Sequence, residues 1–372
     1  MSTIRRLIYG EIFNAVAYVL LAFLSLFFFF DFVDELPSLG KPSVLGTGDS
    51  YELRHALLYV LLLVPNRIYE LMPIAVLIGS VFVMARLAQG SEFTILRTSG
   101  LGPWRALRTL LGLGAIFVCL TFAVGDYIAP LADRSAQVLK ARFQGRINLG
   151  QTGAWLKERQ AYSSYSVNVG SVSALGALKN IRIFELDNRG FLVSSLQAET
   201  GQIGDDSAWH LKQVMRREFN TGSRDALQLT QEALPEYRWP TELSTEMVSV
   251  ALLNPDRMRT ADLYAYIQHL QSNGQTAQKH EIEFWRKVFY PLSCLVMVVL
   301  ALPFAYLHFR SGGIAGYVFG GVMTGISFFL LNNVFGYIGN LNQWQPWLAA
   351  ASPALIYSLM SLGAFGWLVL RR

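Results

Sequence analysis

The densest group of side chains that could carry chemistry is a trio of carboxylates at the end of the first long apolar run, Asp31, Asp34 and Glu35. Residues four apart share one face of a helix, so Asp31 and Glu35 would stand together, as acid–base catalysis requires. No nucleophile and no set of metal ligands accompanies them in the sequence. A catalytic interpretation of this trio therefore lacks the partners that it needs.

Other catalytic signatures are missing from the sequence. The histidines of the middle region, His210, His269 and His280, are scattered, and no H-E-x-x-H, G-x-S-x-G or G-x-x-x-x-G-K-[ST] motif occurs. Cys119 and Cys294 lie inside apolar runs, where a structural disulfide or zinc site is not expected. We therefore expect no cofactor, no metal and no catalysis by this chain, and any ATP hydrolysis must come from a partner.

A second candidate site is the loop ARLAQGSEFTILRTSGLGPW at 85–104. Ser91 is a good helix N-cap, Glu92 favours the positive start of a helix, and Gly100 is a typical C-terminal stop. The pattern predicts a short helix at about 91–99. Glu92 would then either stabilise its own helix or pair with an arginine of a partner protein.

Six apolar runs must position these groups. The chain is 52% hydrophobic and only 15% charged, and residues 311–370 carry no charge. About 20 apolar residues cross a bilayer as a helix, because open backbone cannot lie in lipid. The predicted spans are 12–30, 68–88, 107–129, 288–307, 314–338 and 347–370. Residues 51–64 read as an interfacial helix before the second span, or alternatively as the early part of one long tilted span.

Basic residues set the predicted orientation. They accumulate around the first turn of the chain, the loop at 85–104, the end of the fourth span and the C-terminus. Lysine and arginine mark the cytoplasmic side, so both termini should be cytoplasmic and the region after the third span should lie outside the cytoplasm. This topology also accounts for the net charge of +5, and no nucleic-acid-binding motif is present.

The middle of the chain reads as a soluble β-rich insert. Strand-like runs at 161–169, 181–186, 191–198 and 209–219 alternate with turn signals, which predicts an all-β sandwich or jelly roll. A helix should follow at 260–272. The predicted domains are 1–130, a first half with three membrane helices, 131–258, the β-domain, and 259–372, a helical linker with three more membrane helices.

Several motifs together resemble one known family. They are LAQGSEFTILRTSG (87–100), GDYIAP (125–130) and FVDEL (32–36), in a layout of three helices, a β-domain and three helices. This combination resembles the lipopolysaccharide export permeases of the LptF/LptG family over nearly the whole chain, and it is more similar to the LptG branch. The fold that the resemblance implies is an α-helical membrane protein with six transmembrane helices and an inserted periplasmic jelly-roll-like domain.

The resemblance implies a transport function. Such permeases pair as an LptF–LptG heterodimer in the inner membrane and bind two copies of the ATPase LptB. They draw lipopolysaccharide from the membrane and pass it to LptC and LptA. The short helix at 91–99 corresponds to the family's coupling helix, which assigns Ser91, Glu92 and Arg97 to the ATPase contact.

The match to the family's basic phosphate contacts is partial. Lys140 falls on one such position, but the others carry Gln137, Asp31, Pro37 and Ser38. Lys41 is a nearby replacement, and Arg142, which follows Lys140, would either attract phosphate at the rim or belong to a solvated face. These departures point to a differently charged lipid A or to phosphate binding by the partner subunit.

The first and fifth spans form lateral gates in the family. The first span here carries a phenylalanine cluster that includes Phe27 and Phe30, which would line a cavity or simply contact lipid. The fifth span carries two G-x-x-x-G pairs, Gly316/Gly320 and Gly321/Gly325, which would form a gate seam or fixed packing within the subunit. A lipid-modifying membrane enzyme and a structural envelope-assembly factor are the competing functions.

Overall fold

The structure is a computed structural model of the chain. It describes residues 2–43, 50–90, 92, 95, 98, 102–144, 154–160, 163–172, 177–204, 208–220, 228–243, 248, 257–306 and 314–367.

Within these residues the structure has eight α-helices, most of them long and apolar. They are α1 (Ser2–Glu35), α2 (Leu53–Gln89), α3 (Pro103–Ala123), α4 (Ala129–Gln144), α5 (Thr260–Ser272), α6 (Gln278–Leu300), α7 (Ile314–Leu341) and α8 (Pro346–Phe365). Six candidate membrane spans are found among the described residues, with α3 and α4 forming one of them. The predicted six-span architecture is confirmed, and α5 occupies the range predicted for it.

Two predicted helix boundaries were wrong. The separate interfacial helix at 51–64 does not exist, because α2 runs unbroken from Leu53 to Gln89 with Pro65 and Pro73 inside it; the alternative of one long helix is confirmed. The helix of the third span, predicted to end at Ala129, does not end there. A five-residue π-helical segment, Val124–Ile128, joins α3 to α4, and Pro130 is the second residue of α4.

The chain forms two compact units. The helical unit comprises Met1–Asp34, Val60–Ala132 and Gln278–Arg372, and the sheet unit comprises Glu35–Tyr59 and Asp133–Ala277. The sheet unit therefore takes in the end of α1, the start of α2 and all of α5 in addition to the strands. The domain limits drawn from the sequence remain predictions.

The core of the helical unit is centred on α2 and α6, with further buried side chains on α1 and α3. Its fully buried side chains include Met72, Leu77 and Met84 on α2 and Met297 on α6. Backbones approach closely where glycine leaves room: a Cβ at Gly79 on α2 would lie 2.8 Å from the backbone nitrogen of Val16 on α1.

The sheet unit contains one antiparallel sheet in which consecutive strands are neighbours. The strands are β1 (Ala154–Arg159), β2 (Ser163–Val172), β3 (Leu178–Asp187), β4 (Leu192–Ile203), β5 (Ala208–Asn220) and β6 (Gln228–Pro240). The predicted all-β insert is confirmed, although the sequence patterns did not show β1 and β6. The described strands include no crossover between non-consecutive neighbours of the kind that a jelly roll uses.

A transverse crease runs across five strands of this sheet. At the crease, one residue of each of these strands has no bridge partner, and the five residues lie side by side across the sheet. They are Gly170, Asn180, Glu199, Gln213 and Pro235. Asn180 and Gln213 have φ angles of 51° and 54°, a left-handed conformation that is uncommon outside glycine. The side-chain alternation shifts by one residue at the crease, so that Leu178 and Ile181 of β3 are both buried although they are three residues apart.

Because of this shift, one face of the sheet is buried on both sides of the crease. The core it encloses includes Trp209, which is fully buried and donates its indole N–H to the carbonyl oxygen of Leu243 at 2.9 Å. The Trp239 ring packs edge-on against Trp209 at a centroid distance of 5.4 Å. The strands predicted from the sequence thus form a sheet with one apolar face, and that face is buried in the core of the sheet unit.

Candidate functional site

Three described residues represent the segment predicted to couple to an ATPase. Glu92, Ile95 and Thr98 are helical and exposed, and the Thr98 hydroxyl donates to the carbonyl oxygen of Ile95 at 2.9 Å. Residues three apart lie on one side of a helix, so this side presents the Glu92 carboxylate to solvent. Ser91 and Arg97, the other residues predicted for this contact, lie outside the described residues.

The last turns of α1 carry a carboxylate that pairs with α2. Asp31 accepts two hydrogen bonds from the guanidinium of Arg67, from Nη2 to Oδ1 at 2.8 Å and from Nε to Oδ2 at 3.2 Å. This two-pronged arrangement is the strongest geometry between arginine and a carboxylate. The same guanidinium donates to Glu70 at 3.2 Å and lies 5.0 Å from the centre of the Phe27 ring.

Sequence reasoning missed Arg67. An ionisable residue inside an apolar helix is expensive and commonly marks a functional or paired position. Arg67 follows Pro65 within the apolar α2 segment, and that placement alone could have identified it. Its position also supplies a basic group beside Asp31, at the point where the family resemblance expects a basic residue on the first span.

One helical turn further along α1, Glu35 pairs with Lys140 of α4. The Lys140 ammonium donates to Oε2 of Glu35 at 2.9 Å and lies 4.5 Å from the centre of the Tyr59 ring. Glu35 is 5% exposed at its side chain, whereas Lys140 is 31% exposed. The structure therefore gives the predicted phosphate contact Lys140 a carboxylate partner within the chain.

An aromatic cluster surrounds this pair within the sheet unit. Tyr51 is buried, and its ring meets Phe143 edge-on at 5.1 Å; His55 lies 4.9 Å from the same phenylalanine ring. Burial, and then the negative charge of Glu35, raise the pKa of Tyr51. These contacts hold the segment after α1 against the end of α4.

The other two predicted phosphate contacts are exposed. The Lys41 ammonium is 3.5 Å from the Ser38 hydroxyl, and the backbone carbonyl of Arg142 accepts a hydrogen bond from Ser43 at 3.4 Å. Both side chains are open to solvent. Lys41, Lys140 and Arg142 all belong to the sheet unit, and they remain predicted phosphate contacts.

The four glycines predicted for a gate on α7 fall into two groups. A Cβ at Gly325 would lie 2.9 Å from Ile74 of α2, and one at Gly321 would lie 3.6 Å from Val81 of α2. Among the residues that the structure describes, a Cβ at Gly316 or Gly320 would meet nothing within 4 Å. The pair Gly321/Gly325 thus packs inside this chain, whereas the described residues leave Gly316/Gly320 uncovered.

The two phenylalanines predicted for a cavity wall also differ. Phe27 is half-buried beneath Arg67. Phe30 is 54% exposed and contacts Phe29 edge-on at 5.8 Å. Phe30 therefore offers an apolar surface to lipid or to another molecule, while Phe27 supports an ion pair.

A third polar contact between helices lies on α6. The Arg286 guanidinium donates to the backbone carbonyl of Asn332 on α7 at 2.7 Å, to the side chain of Asn333 at 3.1 Å and to Glu283 at 2.9 Å. A Cβ at Gly336 would lie 3.4 Å from this guanidinium. Glycine at that position lets an arginine reach the backbone of a neighbouring membrane helix.

This geometry disfavours catalysis by the acidic trio. Asp31 and Glu35 are each engaged by a basic side chain of this chain, Arg67 and Lys140 respectively, so the two carboxylates do not face one shared substrate position. Among the described residues no group of three or more histidine, cysteine, aspartate or glutamate side chains could hold a metal ion.

Comparison with known proteins decides the family. The sequence model described as "Lipopolysaccharide export system permease LptF/LptG" matches residues 6–371. The chain belongs to the LptF/LptG family. The match spans all six candidate membrane helices and the intervening sheet, so the LptF/LptG assignment covers both units.

Curated relatives within the LptF/LptG family are similar over their full lengths. A protein of Escherichia coli (strain K12) named "Lipopolysaccharide export system permease protein LptG" is 28% identical over 370 residues, which cover 99% of this chain and 98% of the relative. A protein of the same name from Haemophilus influenzae is 27% identical over 375 residues, covering 100% and 99%. The family resemblance drawn from the motifs is confirmed.

Proposed function

We propose that this chain is a transmembrane permease subunit of an ABC transporter that extracts lipopolysaccharide from the inner membrane. The observation that carries the proposal is the family match across residues 6–371, together with relatives named lipopolysaccharide export permeases at nearly full length. The subunit has no chemistry of its own; it couples ATP hydrolysis by a partner to movement of a lipid toward the outer membrane.

The proposed assembly contains an LptF-like permease as the second half of a heterodimer and two LptB-like ATPases. An LptC-like membrane-anchored protein and an LptA-like bridge would receive the lipopolysaccharide. The uncovered Gly316/Gly320 surface of α7 and the exposed face of α1 around Phe30 support a partner subunit, since both leave apolar surface that the described residues of this chain do not cover. Small residues allow helices of two subunits to approach closely in lipid.

The proposed energy contact is Glu92, with Ser91 and Arg97. Its support is the exposed carboxylate on a helical segment between the second and third spans. An acidic side chain in that position can accept charge-assisted hydrogen bonds from an arginine of the ATPase.

Co-purification tests this contact. Glu92→Ala should weaken retention of the ATPase when membranes are solubilised and the complex is isolated through this chain. The matched control is Glu52→Ala, which removes an exposed carboxylate at the opposite end of α2. Equal recovery of ATPase with both variants would remove Glu92 from the contact.

The proposed substrate contact is Lys140, with Lys41 and Arg142. Its support is the partly exposed side chain of Lys140, because an ammonium is a point charge suited to a phosphate. Lys140→Glu should lower photocrosslinking of lipopolysaccharide to this subunit in cells. Lys212→Glu, which changes an exposed lysine of β5 paired with Glu236 at 3.7 Å, should leave crosslinking unchanged.

The proposed orientation places both termini in the cytoplasm and the sheet unit in the periplasm. Its support is the distribution of lysine and arginine in the sequence. A cysteine at Arg189, an exposed turn residue between β3 and β4, should react with a membrane-impermeant maleimide added to cells with a permeabilised outer membrane. Labelling only after the inner membrane is broken would reverse the topology.

A further inference from the structure

The Glu35–Lys140 pair has an asymmetric exposure. The Glu35 side chain is 5% exposed and the Lys140 side chain is 31% exposed, so Lys140 is the member of the pair that an incoming anion meets first. The Tyr59 ring lies 4.5 Å from the ammonium on another side. An ammonium has three N–H donors, and the Glu35 carboxylate and the Tyr59 ring take up two of the directions around it.

The charge of the pair matters more than the number of donors. The buried Glu35 carboxylate cancels most of the electric field of the Lys140 ammonium. An anion that approaches the ammonium therefore meets a pair with almost no net charge, and the negative charge of Glu35 lies behind it. A single negative charge gains little there. A phosphate monoester carries a charge of about −1.5 to −2 near neutral pH, with three strong acceptor oxygens, and it has more to gain from the ammonium.

We propose that Glu35 is a resident counter-anion that holds Lys140 between transport events and restricts the site to phosphate monoesters on a lipid. Phosphodiester headgroups of ordinary phospholipids carry one negative charge and do not displace the carboxylate. When the phosphate leaves, Glu35 takes the ammonium back, so the lysine is never left as a bare charge. This inference rests on the proposed function, because it assigns a specificity-determining role at the proposed Lys140 contact.

The exchange also changes what holds the end of α1. Glu35 is the last residue of α1 and Lys140 lies near the end of α4, and the pair is a direct polar contact between them. A phosphate that draws the ammonium away removes that contact. Asp31, four residues earlier, keeps its own partner Arg67 and is not part of the exchange.

The test uses the full-length chain in lipid nanodiscs with fluorescent lipopolysaccharide as the probe. Glu35→Gln keeps an acceptor oxygen but removes the charge, and it should bind lipopolysaccharide at least about threefold more tightly. Phosphatidylglycerol added to the nanodisc should compete poorly with the probe in the unaltered protein and clearly better in the variant. Asp34→Asn, which removes an exposed neighbouring carboxylate, is the matched control and should do neither.

Two further measurements assign the effect. The double variant Glu35→Gln/Lys140→Gln should lose the gain, because the counter-anion acts only through the lysine. Dephosphorylated lipopolysaccharide should bind both Glu35 forms equally. Millimolar inorganic phosphate should not displace the probe; if it does so as effectively as unlabelled lipopolysaccharide, the site is one for free phosphate and the lipid assignment is overturned.

The outcomes separate this inference from the proposed function. If Lys140→Gln alone leaves lipopolysaccharide binding unchanged, the proposed Lys140 contact fails and the inference fails with it. If Lys140→Gln weakens binding while Glu35→Gln leaves it unchanged or weaker, only the counter-anion role is overturned. Glu35→Ala, which should give the same gain, replaces Glu35→Gln if the latter does not give monodisperse protein.

Discussion

The first and second membrane helices have similar compositions but opposite surroundings. The most apolar window of α1 has a mean hydropathy of 2.4 and that of α2 one of 2.1, yet the rest of the chain buries 6% of the first window and 83% of the second. The same contrast separates α6, 61% buried, from α7, 22% buried. Hydropathy thus identifies a helix that crosses the membrane, but it does not say whether the helix lies at the centre or the edge of the subunit.

This contrast in burial divides the membrane helices into central and peripheral ones. Helices α2 and α6 hold the core, and α1 and α7 expose apolar surface to lipid or to another subunit. In the family, the first and fifth spans are those expected to form lateral gates. Both helices still place side chains in the core, such as Ile12 of α1 and Phe328 of α7, so a gate along them would have to use their exposed faces.

The largest effect is expected from a substitution that disrupts the packing of α1 against α2. In Gly79→Leu the added side chain would start 2.8 Å from the backbone of Val16, and overpacking against backbone should cost more than about 3 kcal/mol. We expect little monodisperse protein in size-exclusion chromatography. Gly363→Leu on α8, where a Cβ would meet nothing within 4 Å, is the control and should purify normally. Normal yield of Gly79→Leu would mean that α1 does not cross α2 there.

A smaller effect should appear at the open glycines of α7. Gly320→Leu adds a side chain where nothing lies within 4 Å, so this chain should fold and melt as before. Co-purification with the partner permease should fall severalfold, because a bulky residue separates helices that associate through glycine. Unchanged assembly and unchanged transport would show that Gly316/Gly320 simply faces lipid. Gly363→Leu again supplies the control.

The polar contact between Arg286 of α6 and helix α7 should contribute less to stability than the packing at Gly79. Arg286→Met removes the donors to Asn332 and Asn333 and leaves Glu283 without its partner. Because the guanidinium acts as one unit, losing this set of hydrogen bonds should cost about 1–3 kcal/mol in total, so the thermal midpoint of the purified chain should fall. Arg286→Lys keeps the charge and should fall less. If the two variants melt alike, the forked geometry contributes nothing.

The smallest effect should come from the sheet unit, where His269 of α5 titrates. Burial lowers the pKa of His269 below its ordinary 6.5, so the neutral ring is favoured in the folded state. The unfolded chain then binds the proton more readily, and stability should fall as the pH drops through 6.5 toward the folded pKa. Melting at a series of pH values would show a shallower decline for His269→Gln; identical slopes would contradict the assignment.

The helices and strands could be predicted from the sequence more accurately than the contacts between them. Six apolar runs and a β-rich insert follow directly from composition and alternation, and α5 was predicted at its observed residues. The interfacial helix was wrong because Pro65 read as a boundary, whereas packing of α2 by its neighbours keeps a helix continuous through proline. Strands β1 and β6 were missed because their alternation is short or mixed with prolines and charges.

The pairing of charges was beyond sequence reasoning. Glu35 and Lys140 are more than one hundred residues apart, and nothing in their local patterns says that they meet. The four α7 glycines gave one motif in the sequence, but only the position of α2 separates Gly321/Gly325 from Gly316/Gly320. Local spacing predicts which face of a helix a residue occupies, and the neighbouring elements decide what that face contacts.

The crease in the sheet limits how the length of this region can vary. Removing one residue at Asn180 alone would turn one half of β3 over, sending Ile181 and Ile183 to the solvent side while β2 and β4 kept their orientation. A deletion at this level is tolerable only if all five strands lose a residue together. Gaps in an alignment of homologous inserts should therefore collect in the turns and avoid Gly170, Asn180, Glu199, Gln213 and Pro235, even where the amino acids themselves differ.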